Sequence, residues 1–419
     1  MLCSSPVRSS LAALVLACSS LAAAPMEGMA TYFLGVGYPY GACGVPEEVA
    51  AWEAAQDTLS GQGNPVDYVA LNVYDTPRDY SPPGPRPLVG ADTIRLGTYD
   101  NGRNCGRWLR LTLGDTCDGI NDGAMNQPFC RGGTGWHPNR YTGSQAVAVV
   151  FDQCTDGNAW CRDSRGHLDL HVTILERLRK GDTLLPPLAF PVLGPDGKPK
   201  ADPNNPWAIE YRVQGFLNPK VSWEFIPAPN YRGEPRFWFS MDSKAWYMRL
   251  IVTHLPNGIH GLEQLVDGVW KPARMEGDAG QMWLLPDPSA TRFTVRLTDV
   301  DDQLVMGGRT WTFDYPAACG TSCSRPATLA ENVLGQGGIV ATTPKSAPPR
   351  LDLRLDPDGT LRLGTGLDGF ATLVRPDGGM LGRFPVVSGT ARTGPLSAGL
   401  WIVRWELGSA RGSQLLAVR

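Results

Sequence analysis

After residue 28 the apolar residues of this chain come in short or alternating runs, each soon broken by Gly, Pro, Asn or Asp. With 49 Gly and 36 Pro among 419 residues, sustained helical periodicity has little room, and a mainly β fold is expected. Two short helical candidates stand out, at 50–59 and at 170–180. The second carries Leu170, Ile174 and Leu178 on one side, Arg177, Arg179 and Lys180 in its last turn, and Gly181 after it.

At about 150 residues per domain the length calls for two to four units. Residues 28–229 read as one domain with insertions at 45–90 and 180–210, where Pro, Asp and Gly replace any sustained period. Residues 230–315 read as a compact β-sandwich, with Asp267-Gly268 as a hairpin turn. Residues 316–348 have no period and are expected to be a linker, and residues 349–419 return to a β pattern.

Residues 1–24 carry Arg8, an apolar run and Ala22-Ala23-Ala24, the anatomy of a secretory signal peptide, so an exported, extracellular or surface protein is expected. Val15-Leu16-Ala17-Cys18 also offers a lipidation box as a rival reading. No other stretch approaches the ~20 apolar residues of a membrane span. The formal charge of -3, with scattered basic residues, leaves no footprint for nucleic acid or an anionic membrane.

Of ten cysteines, Cys3 and Cys18 fall in the leader, leaving an even eight, which in an exported chain reads as disulfides. Short loop closure favours Cys154 with Cys161 and Cys117 with Cys130, leaving Cys43 with Cys105, although six cysteines allow 15 connectivities. Cys319 and Cys323 would close a small loop inside the linker. No zinc-type spacing occurs, and no metal or other cofactor is expected.

Residues 28–33 read GMATYF, 41–44 GACG, 99–108 YDNGRNCGRW, 149–154 VVFDQC and 167–170 HLDL. Together they resemble the double-psi β-barrel of expansins, whose relatives are the family 45 endoglucanases. SKAWY at 243–247, DGVW at 267–270 and FTVRLTD at 293–299 resemble the carbohydrate-binding second domain of bacterial expansins. The likeness spans roughly residues 28–315. LSAGLWIVR at 396–404 and the close at 415–419 resemble the C-terminal sorting domain of type IX secretion substrates, and a strand ending on the last residue suits reading by export machinery. The implied architecture is a double-psi barrel, an immunoglobulin-like β-sandwich and a small C-terminal β-sandwich.

Asp152 ends an apolar strand, and Asp169 follows His167 so that an extended chain would put both on one side, away from Leu168 and Leu170. The resemblance implies that Asp169 is the essential acid, that Asp152 is the second acidic position, and that Thr31, Tyr32 and His167 line the groove. Inverting hydrolysis would need a base carboxylate ~6.5–9.5 Å from the acid. The matching position is Leu34, and no Asp or Glu occurs from Gly28 to Gly44. Asp115, Asp118 or Asp122, in or just ahead of the loop between Cys117 and Cys130, could return one.

Plainer roles compete. Asp169 ahead of an apolar-periodic run also suits a helix N-cap. His167 and His171, four apart, would face one way on a helix, but two histidines are not a metal set. Phe237, Phe239, Trp270, Trp283 and Trp311 sit at strand positions and are expected in the core. Trp246 and Tyr247 match the aromatic platform of the expansin second domain, and both can serve it only if Trp246 starts a strand or sits in a bulge. The third platform ring has no match at 277–279, and Trp283 is the candidate substitute.

The expectation is a secreted, monomeric, non-hydrolytic protein that binds and loosens cellulose, with xylan and peptidoglycan as further candidate polysaccharides. The alternatives are an endoglucanase of the family 45 kind and a non-catalytic carbohydrate-binding surface protein.

Overall fold

The structure is a computed structural model that describes residues 24–37, 39–50, 67–81, 84–155, 159–203, 205–229, 231–336, 351–356, 358–374, 380–407 and 410–418. The expected leader falls outside them. The fold is mainly β, and none of its described helices is long and apolar enough to cross a membrane.

The first unit is a closed barrel of β1 (Met26–Phe33), β2 (Asp67–Asn72), β3 (Trp108–Leu113), β4 (Gln145–Cys154), β5 (Leu168–His171) and β6 (Lys220–Ile226). Neighbours run β2-β5-β1-β6-β3-β4, and β4 pairs back onto β2 to close the ring. The β1–β5 and β2–β4 pairs are parallel and the rest antiparallel. This is the expected double-psi barrel. Alternate residues point inward, so Ala30, Val69, Leu71, Val150, Leu168 and Leu170 are fully buried. Each such Val or Leu contributes roughly 1.5–3 kcal/mol of transfer free energy.

Three expectations change here. Residues 67–72, placed in an insertion, form the buried strand β2 between β5 and β4; its six residues are too few for a visible period between loops rich in Pro and Gly. The helix expected at 170–180 is cut to α1 (Val172–Glu176), because residues through His171 are spent on pairing with β1. Its N-cap is His171, whose side chain accepts from the Thr173 N–H, and not Asp169, which lies inside β5. The candidate at 50–59 lies outside the described residues apart from Ala50. The excursion at 180–210 is tied to the barrel at its start, where Thr183–Leu184 extends the barrel sheet and Leu188 and Ala189 join its core; Ala189–Pro191 and Ala201–Asp202 then pair in small ladders.

The second unit is a sandwich of β7 (Arg236–Ser240), β8 (Arg249–Thr253), β9 (Gly261–Val266), β10 (Val269–Pro272), β11 (Arg274–Glu276), β12 (Ala279–Leu284), β13 (Arg292–Thr298), β14 (Thr310–Asp314), β15 (Ala327–Leu329) and β16 (Glu331–Gln336). Sheets β11-β12-β8-β7-β15 and β10-β9-β13-β14-β16 enclose Phe237, Phe239, Phe293, Trp311 and Phe313. The expected linker at 316–348 is therefore wrong up to Gln336: β15 and β16 each complete a sheet by backbone pairing, which needs no apolar period of its own. The last unit packs the short sheet of Arg354–Leu355, Thr360–Arg362 and Thr390–Arg392 with the sheet of Gly369–Val374, Met380–Val386, Gly399–Leu407 and Ala410–Val418.

All four disulfides form as paired above: Cys43–Cys105, Cys117–Cys130, Cys154–Cys161 and Cys319–Cys323. Barrel and sandwich share a buried seam in which Val36, Val45, Trp108 and Phe151 meet Trp238, Ile251 and Met282. The Cys43–Cys105 pair lies beside it, with the Cys43 carbonyl accepting from Gln281 N–H of β12.

Candidate functional site

The outward face of the barrel beside the seam carries three parallel rows of side chains. The middle row crosses four strands in register: Thr31 pairs with Asp169, Asp169 with Ala70, and Ala70 with Asp152. Residues paired across neighbouring strands share a face, so both acids stand on one surface. They flank β2, which puts their Cα atoms about two strand spacings, ~9.5 Å, apart. Ala70, 2% exposed, floors the gap with a single methyl.

Strict alternation would have turned Asp152 inward with Ala148 and Val150. The β2–β4 register shifts between Val69 and Ala70, so Phe151 is the extra residue of a bulge and Asp152 is turned outward. One row of neighbours is closed by the Cys154–Cys161 disulfide and the helical turn Trp160–Asp163, where Met29, Cys154 and Trp160 cluster and His167 stacks on Trp160. The other row, Phe33, His171, Tyr68, Val149 and Trp108, runs under the sandwich. The acids lie on the strip between these two covers, both half-buried.

Thr31 and Asp169 are both half-buried, and the Thr31 hydroxyl donates to Asp169 Oδ1 at 2.7 Å. With that proton committed, the His167 Nε2 at 3.0 Å is the donor to Thr31. Burial lowers His167 to about 3, so the ring is neutral. Asp152 is differently employed. Its Oδ1 accepts from Ala42 N–H at 2.8 Å and Gln153 N–H at 2.9 Å, and Gly37 N–H adds a third donor. Burial nonetheless holds its carboxyl above the usual range, the donors only opposing that. Tyr32 does not join the row. It pairs with Leu170 on the opposite face of β1 and lies edge-on to Phe216 at 5.8 Å. Leu34 is 37% exposed just beyond β1.

Two of the three acids considered as a returned base, Asp118 and Asp122, are spent locally. Asp118 accepts from the Thr134 hydroxyl and from the Thr134 and Gly135 N–H groups at 2.9 Å, and Asp122 takes both Arg131 arms at 2.7 Å; these bonds lower each to about 2. The Cys154 and Cys161 sulfurs lie within 4.8 Å of a His167 ring nitrogen, but both are joined in a disulfide and offer no thiolate.

On the sandwich, Trp246 is 72% exposed at the tip of a tight turn closed by reciprocal backbone bonds between Lys244 and Tyr247 at 2.9 and 2.8 Å. The turn precedes β8, which frees both rings from strand alternation: their centroids are 6.2 Å apart. Lys244 Nζ lies 4.2 Å from the Trp246 ring. Trp283 is buried in the core and cannot serve as the third ring. Trp270, expected in the core, is half-buried on edge strand β10 with the Arg296 guanidinium 4.5 Å from its ring, because an edge hairpin has no second sheet over it.

Sequence reasoning missed Glu47. It is 7% exposed, accepts from Tyr68 OH at 2.5 Å and from Val36 N–H at 2.7 Å, and stands 3.8 Å from His171 Nε2. Burial raises its pKa and the neighbouring Asp152 charge adds to that. In the chain it is one of a Pro46-Glu47-Glu48 run ahead of Val49-Ala50, a pattern shared with many surface helices.

No family model and no curated protein matches the chain. Among solved structures, apo Clavibacter michiganensis expansin is similar at 19% identity with a TM-score of 0.32, over 67% of this chain and 88% of that one. A mutant of Clavibacter michiganensis expansin in complex with cellohexaose is similar at 16% identity with a TM-score of 0.33, over 75% of this chain and 96% of that one. The fold and the site stand on this chain's own strand pairing and side-chain contacts.

Proposed function

We propose that this is a secreted protein that grips a β-glucan strand on this strip of the barrel and loosens it from its neighbours without cutting it. The observation that carries this reading is the division of labour in the middle row. Asp169 stands with the Thr31 hydroxyl on the strip, while Asp152 is engaged by three backbone N–H groups. The position matched to a hydrolytic base is Leu34, and the loop N–H groups already occupy an Asp152 oxygen, which speaks against a base poised over a water. A carboxylate, a hydroxyl and an exposed indole suit sugar hydroxyls and sugar faces instead. Each glucan–glucan hydrogen bond exchanged for a protein–glucan one is worth only about 1 kcal/mol, so loosening needs many exchanges acting together. In the same reading, the C-terminal β unit addresses the chain to the export machinery.

The test runs paper weakening, reducing-sugar release from swollen cellulose and binding to cellohexaose on one preparation of the full chain. Weakening without release is expected, and Asp169→Asn should lower weakening about tenfold, the scale of one charge-assisted hydrogen bond. Sugar release that Asp169→Asn abolishes would establish a hydrolase. Full weakening by Asp169→Asn would remove the acid from the mechanism.

A further inference from the structure

The segment between β1 and Cys43 crosses from the strip to the seam, and Asp152 holds it there through Ala42 N–H. At Gly41 a Cβ would lie 2.9 Å from the Val36 Cβ and 3.2 Å from the Asp152 carboxyl, so only glycine lets the chain pass this close. The next residue back is Tyr40, half-buried against the seam. Its hydroxyl accepts from Arg249 Nη1 at 3.1 Å.

Arg249 opens β8 and is 7% exposed. Its other arm donates to the Met241 carbonyl at 2.6 Å, and the Ser243 hydroxyl bonds its backbone on both sides. The guanidinium carbon lies 5.6 Å from the Tyr40 ring and 5.2 Å from the Tyr247 ring. One buried cation thus fixes an aromatic ring of each domain, and the Tyr247 hydroxyl is held in turn by Glu276 at 3.3 Å. Trp246, Tyr247 and Tyr40 form a series that starts on the sandwich and ends on the barrel loop pinned by Asp152.

We propose that Tyr40 is a sugar-contacting ring that carries the aromatic platform across the seam, with Arg249 as its positioning residue, so that one neutral β-linked glycan strand is bound by both domains. This rests on the function proposed above. A spanning site rewards longer ligands, whereas a platform confined to the sandwich does not.

Calorimetry of the full chain with cellotriose and cellohexaose reads that reward. The wild-type chain should bind the longer sugar about tenfold more tightly, the scale of one ring contact. Tyr40→Leu, which keeps apolar packing on the seam, should lose that gain while binding cellotriose as before. Tyr40→Phe should keep it, and Arg249→Lys, which loosens Tyr247 as well, should lose it and also weaken cellotriose binding. A full length gain in Tyr40→Leu, or none in the wild-type chain, overturns the proposal. Trp246→Ala should weaken both sugars; if it and Asp169→Asn bind both as the wild type does, the underlying glucan-binding reading fails as well.

Discussion

Two rows on the same face of the same barrel strands meet opposite surroundings. Thr31, Asp169 and Asp152 stay half-buried around Ala70, outside the sandwich contact, while two residues further along β1 and β5, and two back along β2, Phe33, His171 and Tyr68 pass under the sandwich. Each row has a carboxylate bonded to a hydroxyl: Asp169 with Thr31 at 2.7 Å, Glu47 with Tyr68 at 2.5 Å. Only the cover differs. Under the sandwich, burial pushes the Glu47 carboxyl up and lowers His171 to about 3, so the ring is neutral and these bonded polar groups serve cohesion. Strand position selects the face, and the neighbouring domain then decides which acid meets a ligand.

Acidification should separate the rows most strongly. Burial lowers His167 and His171 to about 3 in the folded protein, below the 6.5 of a free imidazole. The unfolded chain therefore takes up these protons first. Stability is full above pH 6.5 and falls as pH drops through the window toward 3, by about 1.4 kcal/mol per pH unit for each ring. Glu47, Asp67 and Asp152 act oppositely: burial raises them, so their cost above the folded pKa is relieved as pH falls. The expected net result is a Tm of the full chain that is flat above pH 6.5 and declines below it, with a shallower decline in His171→Gln. A Tm rising from pH 6.5 to 4 would mean that the carboxyls, not the rings, govern the covered rows.

At neutral pH, His171→Ala should cost about 2–4 kcal/mol, because it removes a ring stacked at 3.9 Å on Tyr68 and a partner of a buried hydroxyl. Cellohexaose affinity per folded molecule should stay at the wild-type value. Urea unfolding and calorimetry on the same variant check both halves. Lost binding at unchanged stability would show the covered row to be part of the glucan site.

The β class, the disulfide partners and the carboxylate of Asp169 were legible because each rests on local pattern: turn residues, short loops and alternation about Leu168 and Leu170. The row of acids was only half legible. Asp152 faces outward through a bulge at Phe151, and bulges arise from pairing with a distant strand, here β2, which itself hid inside an apparent insertion. Tyr32 departs from what the resemblance implies, since it pairs with Leu170 on the face of β1 opposite Thr31. Glu47, Tyr40 and Arg249 gain their meaning only where two domains touch, a relation for which neither segment carries a sign.

The smallest effect expected is that of Asp152→Asn, and it is the sharpest test of the row's division of labour. An asparagine carbonyl can still take the Ala42 and Gln153 N–H groups that Oδ1 accepts, at 2.8 and 2.9 Å, but its amide group offers a donor where the second carboxylate oxygen stood. That oxygen packs close to Gly41 and the carboxylate also serves Gly37 N–H, so one loop bond weakens while the strip keeps its shape. The cost should be about 1 kcal/mol, which in a barrel of this size lowers Tm by roughly 2–4 °C. Paper weakening should fall no more than about twofold, far less than for Asp169→Asn, because 1 kcal/mol acting on loop order reaches the ligand only in part. Scanning calorimetry beside the weakening assay decides it: an unchanged Tm with abolished weakening would make Asp152 a second sugar-contacting acid and the two members of the row equals.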